Sequence, residues 1–127
     1  MTITVDGLTE LQAVFREAPQ KLQTAAKRNV SKTALEVKKG AQARVSAGLS
    51  ATKSHLPHYA RSIDYDLVAG GLSAVVGPNP SKIQGAFGRG VEFGSSRAGP
   101  IPHMLPSADD QWPLFRAGMT SAVEQAL

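Results

Sequence analysis

Apolar residues recur through the first half of the chain at the three- and four-residue steps of one helix face, whereas the second half breaks into short segments punctuated by glycine and proline. The clearest run is Leu22, Ala26, Val30, Thr33, Val37, Ala41 and Val45, which predicts an amphipathic helix. Lys21, Arg28, Lys32 and Lys39 fall on its opposite face, with Lys27 and Lys38 flanking the apolar stripe. Pro19 suits the first turn of such a helix, because the amide it lacks would be unpaired there, and Gly48 suits its end. The expected helix, running to about Ala47, would be roughly 40 Å long at 1.5 Å per residue, well beyond the radius of a domain this size. Part of it is therefore expected to serve a neighbour. Arg44 falls on the apolar side, where the negative end of the helix dipole would favour it. Upstream, the alternation Thr2-Ile3-Thr4-Val5 predicts a short strand broken by Asp6-Gly7. A first helix is expected from Leu8 to about Glu17, ended by Pro19, with Thr9 and Gln12 spaced as a capping box and Leu11, Val14 and Phe15 on one side.

Residues 48–58 are small and polar with one proline, which predicts a loop, mobile in the isolated protein. Ile63, Tyr65 and Leu67 then alternate with Asp64, Asp66 and Val68, and after Gly70-Gly71 comes Leu72-Ser73-Ala74-Val75-Val76, the pattern of a β-hairpin. Gly77-Pro78-Asn79-Pro80 should stop it. Gly85, Gly88 and Gly90 supply backbone freedom before an apolar strand, Val91-Glu92-Phe93, that ends at Gly94. A proline-stiffened extended segment follows, from Pro100 to Pro106. The last helix should start between Ser107 and Trp112, with Ser107 as candidate cap, since Pro113 fits only a first turn or a kink. Phe115, Met119, Ala122 and Ala126 would form its buried side. The expected fold is α+β in one domain over residues 1–127. A small, mainly antiparallel sheet, made by the hairpin and the Glu92 strand with the N-terminal strand as a further candidate, packs against the long helix and the C-terminal helix.

A chain of 127 residues suits one domain with a modest core. It has no cysteine, which excludes disulfides and thiolate metal sites. The N-terminus has neither a basic leader nor a long apolar run, and no stretch approaches the roughly 20 apolar residues of a membrane span, so a soluble, unsecreted protein is expected. The net charge of +4 is unevenly spread. From Gln20 to Lys53 eight basic residues (Lys21, Lys27, Arg28, Lys32, Lys38, Lys39, Arg44, Lys53) face one acid, Glu36. One element thus holds most of the positive field.

Candidate chemistry is sparse. His55 and His58 sit three apart with a proline between them and His103 lies far along the chain, too few convergent ligands for a metal site, so solvated loop histidines are the simpler reading. Gly88-Arg89-Gly90 lacks the Lys-Ser/Thr of a phosphate loop and the spacing of a dinucleotide fingerprint. Ser95 and Ser96 follow a glycine without a nucleophile elbow around them. Asp64 and Asp66 read as the wet face of a half-buried sheet, and Asp109 and Asp110 as first-turn acids of a helix. No catalytic residue, metal or other cofactor is expected. Glu92, between Val91 and Phe93, either pairs with a basic residue, across a subunit boundary for instance, or occupies the exposed position of an edge strand; both readings stay open.

The order Val91-Glu92-Phe93-Gly94-Ser95-Ser96-Arg97, then Pro100-Ile101-Pro102-His103-Met104-Leu105-Pro106-Ser107-Ala108, resembles the head-tail joining, or tail-completion, proteins of long-tailed bacteriophages. In that family a strand ending Glu-Phe-Gly-Thr or Ser leads through an Ala-Arg-Pro-Phe-Leu-Arg-Pro-Ala-like segment into a last helix. Glu92-Phe93-Gly94-Ser95 fits closely, and Pro102, Leu105, Pro106 and Ala108 stand where the pattern wants them, with His103 in place of the usual aromatic. Arg61-Ser62-Ile63 matches a Leu-Arg-Ser-Ile-like hairpin entry, without the Thr-Gly-Asn that often precedes it. The resemblance implies a structural virion protein of the phage neck or tail end and not an enzyme. It would assemble in the host cytoplasm as a homo-oligomeric, six-fold ring joining head and tail. Its neighbours would be stopper or connector, tail terminator and tail-tube proteins, and a tail terminator or minor tail protein of the same assembly is the nearby alternative. The expected interface residues are Glu92, Phe93, Gly94 and Arg97 at the turn, with Pro102, Met104, Leu105 and Pro106 docking as an extended arm. The basic face Lys21, Arg28, Lys32 and Lys39 reads first as solvated or protein-facing, and second as a non-specific contact to passing DNA. A nucleic-acid-binding module built on that helix is the alternative of another class; a small hydrolytic enzyme has the least support.

Overall fold

The computed structural model describes the backbone of residues 5–127 and the side chains of residues 16–127. The chain is α+β. A helix α1 (Val5–Ala51) and a helix α4 (Met104–Ala126) run antiparallel along each other, and a two-stranded hairpin and two short helices pack at one end. The expected strand at residues 2–5 falls outside the described residues except for Val5, which already begins α1.

Two corrections concern α1. Pro19 lies inside it and does not divide it, at the loss of one backbone hydrogen bond. Gly48 does not close it either; the helix continues to Ala51, and Lys53 turns the chain with φ 55°. Gly48 is instead a point of close approach, where a Cβ would stand 2.4 Å from Ile101 Cγ2. The buried stripe is Ala26, Val30, Ala34, Val37, Ala41, Val45 and Leu49, as the helical period requires, with Ala34 taking the place expected for Thr33. Its small side chains let α4 come close, and Ala122 and Ala126 are buried on the facing side.

The loop is shorter than expected and tied down. Leu56 packs against the core, and the His58 amide donates to Gln84 Oε1 at 2.8 Å. Tyr59–Ser62 forms the short helix α2, followed by strand β1 (Ile63–Val68) and strand β2 (Ser73–Pro78), paired antiparallel with Ile63 opposite Pro78 and Val68 opposite Ser73. Gly77 and Pro78 therefore belong to the strand rather than stopping it; an edge position tolerates the missing proline donor. The hairpin turns through Ala69, Gly70 and Gly71, all with positive φ.

The predicted strand at Val91–Phe93 does not exist. These residues form the end of helix α3 (Gly88–Phe93), and the sheet has two strands only. Gly85 and Gly88 serve close packing against Asn79 and Pro78 rather than entry into a strand. The last helix starts at Met104, earlier than expected, so Met104, Leu105 and Pro106 are its first turn and not an extended arm. Pro113 lies within it. The main core gathers where these pieces meet: Ala41, Val45 and Leu49 of α1 with Tyr59, Ile63 and Val91. Full burial of Ile63 alone contributes about 1.5–3 kcal/mol.

Candidate assembly interface

The segment from Glu92 to Pro106 is organised around a buried carboxylate. Glu92 is only 6% exposed, and its side chain reaches the start of α4. Its Oε2 accepts from the His103 amide (2.7 Å), and its Oε1 accepts from the amides of Met104 (2.6 Å) and Leu105 (3.3 Å). These are the donors that a helix leaves unpaired at its N-terminus, where a negative charge also meets the positive end of the dipole. Of the two readings of Glu92, exposure on an edge strand is excluded, and its partners are backbone amides rather than a basic side chain. Ser107 does not cap the helix. It is buried, and its Oγ accepts from Arg44 Nη1 at 3.0 Å. Arg44 also pairs with Asp110, so these contacts, and not the helix end seven residues away, account for its place on the apolar side.

His103 stands beside Glu92 with no exposed surface. Its Nδ1 is 2.7 Å from the Ile101 carbonyl, which can only accept, so Nδ1 holds the proton and Nε2 accepts from the Tyr59 hydroxyl at 2.8 Å. The histidine thus joins α2, α3 and α4 and is no solvated loop residue; His55 and His58 are exposed. Burial, with the Glu92 charge adding to it, pushes the Tyr59 hydroxyl up to about 12. A group whose pKa is raised on folding keeps its stabilising effect below the unfolded value and loses it as pH rises through the folded one. Stability is therefore expected to hold to about pH 10 and to fall between pH 10 and 12, by roughly 2–3 kcal/mol at 1.36 kcal/mol per unit. Tyr59→Phe should remove this alkaline step while costing about 1 kcal/mol at neutral pH for the lost hydrogen bond. Urea titrations of both proteins from pH 7 to 12 would show it; an unchanged step in the variant would assign it elsewhere.

The remaining expected interface residues divide between surface and support. Phe93 is 64% exposed and Leu105 57%, while Arg97 and Pro102 lie on the surface. Met104 is half-buried against the core and Pro106 half-buried in the first turn of α4. Gly94 has φ 86° and ψ 166°, and a Cβ there would lie 3.1 Å from Pro100 N, so the turn requires glycine. The Ser95 amide donates to Ala98 O and the Ile101 amide to Val91 O, which folds 94–101 into a closed loop.

Sequence reasoning missed the groove between β2 and α4. It has a volume of ≈ 460 Å³, with Val30 and Val37 of α1 as floor, Leu72 and Val76 on one wall, and Leu105 and Trp112 on the other. Trp112 stacks on Phe115, ring centroids 5.6 Å apart. Its signal in the sequence was the pair Leu105 and Trp112 at a spacing of seven, two turns along one helix face. The basic residues lie elsewhere. Arg28, Lys32 and Lys39 are exposed on the side of α1 away from its buried stripe, and Lys21 pairs with Glu17 at 3.2 Å. Lys38 and Lys82 flank Asp64, whose carboxyl the Lys82 ammonium and the Tyr65 amide hold below its usual range. The chain matches no protein-family model, no curated protein and no solved structure. No group of three or more metal-ligating side chains converges among the described residues, and no described helix is long and apolar enough to cross a membrane.

Proposed function

We infer that the protein is a structural subunit of a bacteriophage neck or tail end, assembling with copies of itself into a ring that joins head and tail. The observation that supports this best is the placement of large apolar side chains outside the core. Phe87 and Phe93 are exposed around α3 on one side, and Leu72, Leu105 and Trp112 around the groove on another. Two separate apolar surfaces on one small subunit suit heterologous contacts, which close into rings when each copy meets the next by the same rotation. The Glu92-Phe93-Gly94-Ser95 turn and the Pro102 to Ala108 segment, on which the resemblance rests, lie between these surfaces in sequence, and the fold gives the acid and the glycine of that motif defined work. Within the same assembly, a tail terminator or minor tail protein shares this reading.

Phage deleted for the gene are expected to accumulate filled heads and separate tails, with joining restored by the purified protein. Joined particles in the deletion would overturn the reading. The second reading, non-specific nucleic-acid binding, draws on the exposed stripe of Arg28, Lys32 and Lys39 with Lys21. Three or four phosphate contacts would give log affinity a slope of about −3 against log salt.

A further inference from the structure

The first turns of α1 and the groove between β2 and α4 form a matched pair that a single copy cannot bring together. Helix α4 ends beside the turn of α1 at Glu17 to Lys21, where Gln125 borders the same cleft as Glu17, Gln20 and Lys21. The antiparallel pairing, with Gly40 against Ser107 and Asn29 against Gly118, runs out there, so the α1 turns before it extend past the end of α4. In that stretch the sequence places Leu8, Leu11 and Phe15 at helical spacing on one face. Leu8 to Phe15 is seven residue steps, about 10 Å of helix, and the groove floor from Val30 to Val37 is the same seven steps. The charges also correspond. Residues 1–19 hold three acids (Asp6, Glu10, Glu17) against one base (Arg16), and the helix behind them, from Gln20 to Lys53, eight bases against one acid. Lys27 sits at the hairpin end of the groove floor, against Gly71.

We propose that the α1 turns bearing Leu8, Leu11 and Phe15 dock in the β2–α4 groove of a second copy of the chain. The arm's own groove is out of reach: α1 is one helix from Val5 to Ala51, and its floor residues lie about 22 Å further along the same axis from Phe15 to Val30. A straight helix cannot fold back onto its own flank. Docking is thus between copies, and it is heterologous, since arm and groove are different surfaces. The proposal rests on the self-assembly part of the reading above and supplies its contact.

The chain has no cysteine and a single tryptophan, Trp112, in the groove wall, which provides two readouts on the full-length protein. Singly substituted L11C and L105C chains, mixed and oxidised, should form a heterodimeric disulfide at roughly tenfold or more the yield of an L11C and K39C mixture, because docking raises the effective concentration of the pair. Trp112 emission should shift to the red on dilution, as the arm leaves the groove, and Leu11→Asp should hold it at the red limit at every concentration. A heterodimer yield equal to that of the K39C control, or an emission that Leu11→Asp leaves unchanged, overturns the proposal. Such a failure together with unjoined heads and tails in the gene deletion would remove the arm and leave the neck reading; a cross-link with normal joining in the deletion would do the reverse.

Discussion

Replacing Glu92 with glutamine is expected to destabilise the protein by about 3 kcal/mol, with a Tm lower by roughly 10 °C for a chain of this size. The carboxylate is buried and receives three backbone amides at the start of α4, those of His103, Met104 and Leu105. Glutamine keeps one acceptor oxygen and turns an NH2 group toward the same donors, leaving at least one amide unpaired at about 1–3 kcal/mol. It also removes the negative charge that interacts with the helix dipole, which contributes about 0.3–2 kcal/mol. The loss should be local before it is global. Amide exchange at Met104 and Leu105 should accelerate well before that of Val37 or Ala41 in the middle of α1. Chemical denaturation of the two proteins, read with amide exchange, measures both effects. A variant within about 1 kcal/mol of the parent, with an unchanged first turn, would show that the amides are satisfied without the charge.

What could be read in the sequence and what could not divide along the range of the interactions. The stripe from Ala26 to Val45 and the hairpin from Ile63 to Val76 were legible because each rests on a local period, 3.6 or 2, imposed by one buried face. Helix α3 was not. Six residues, Gly88–Phe93, are too few to display a period, and Val91-Glu92-Phe93 reads equally well as a strand. What makes it helical lies outside it: Glu92 turned onto α4, and the Val91 carbonyl accepting from Ile101. The start of α4 was missed for the same reason. Its cap comes from a residue eleven to thirteen positions upstream, whereas Pro102 and Pro106 locally suggest an extended chain. Pro106 is compatible with the helix because a first-turn residue needs no amide. Pro19 and Pro113 misled because proline in a helix interior costs about 3 kcal/mol in isolation, a penalty that the tertiary fold can override. At the candidate interface, the residue types were legible and their exposure was not. Phe93 and Leu105 are on the surface, while Glu92 and Met104 hold that surface in place.

This division decides which substitution tests the function without disturbing the fold. Changing Met104 would confound assembly with stability, because its side chain packs against Ala41, Val45 and their neighbours in the core. Phe93 is free of that difficulty. It is the last residue of α3 and 64% exposed, and a lysine there sits at the favourable, negative end of a helix. Phe93→Lys is therefore expected to melt within about 2 °C of the parent, as surface changes usually cost no more than ~0.5 kcal/mol. If the Phe93 ring is buried against a neighbouring subunit, the same change removes an aromatic anchor and leaves an ammonium without water or partner. Loss of such an anchor is worth about 2–4 kcal/mol per contact, or roughly 30- to 1,000-fold in affinity. In a ring the loss recurs at every repeat of the contact, so the yield of infectious phage should fall by at least about a hundredfold, with filled heads and unattached tails accumulating in the lysate. Electron microscopy of that lysate, beside a melting curve of the purified variant, separates the two effects. Parental yields of joined particles from a correctly folded Phe93→Lys protein would place the head-tail contact on another surface of the subunit.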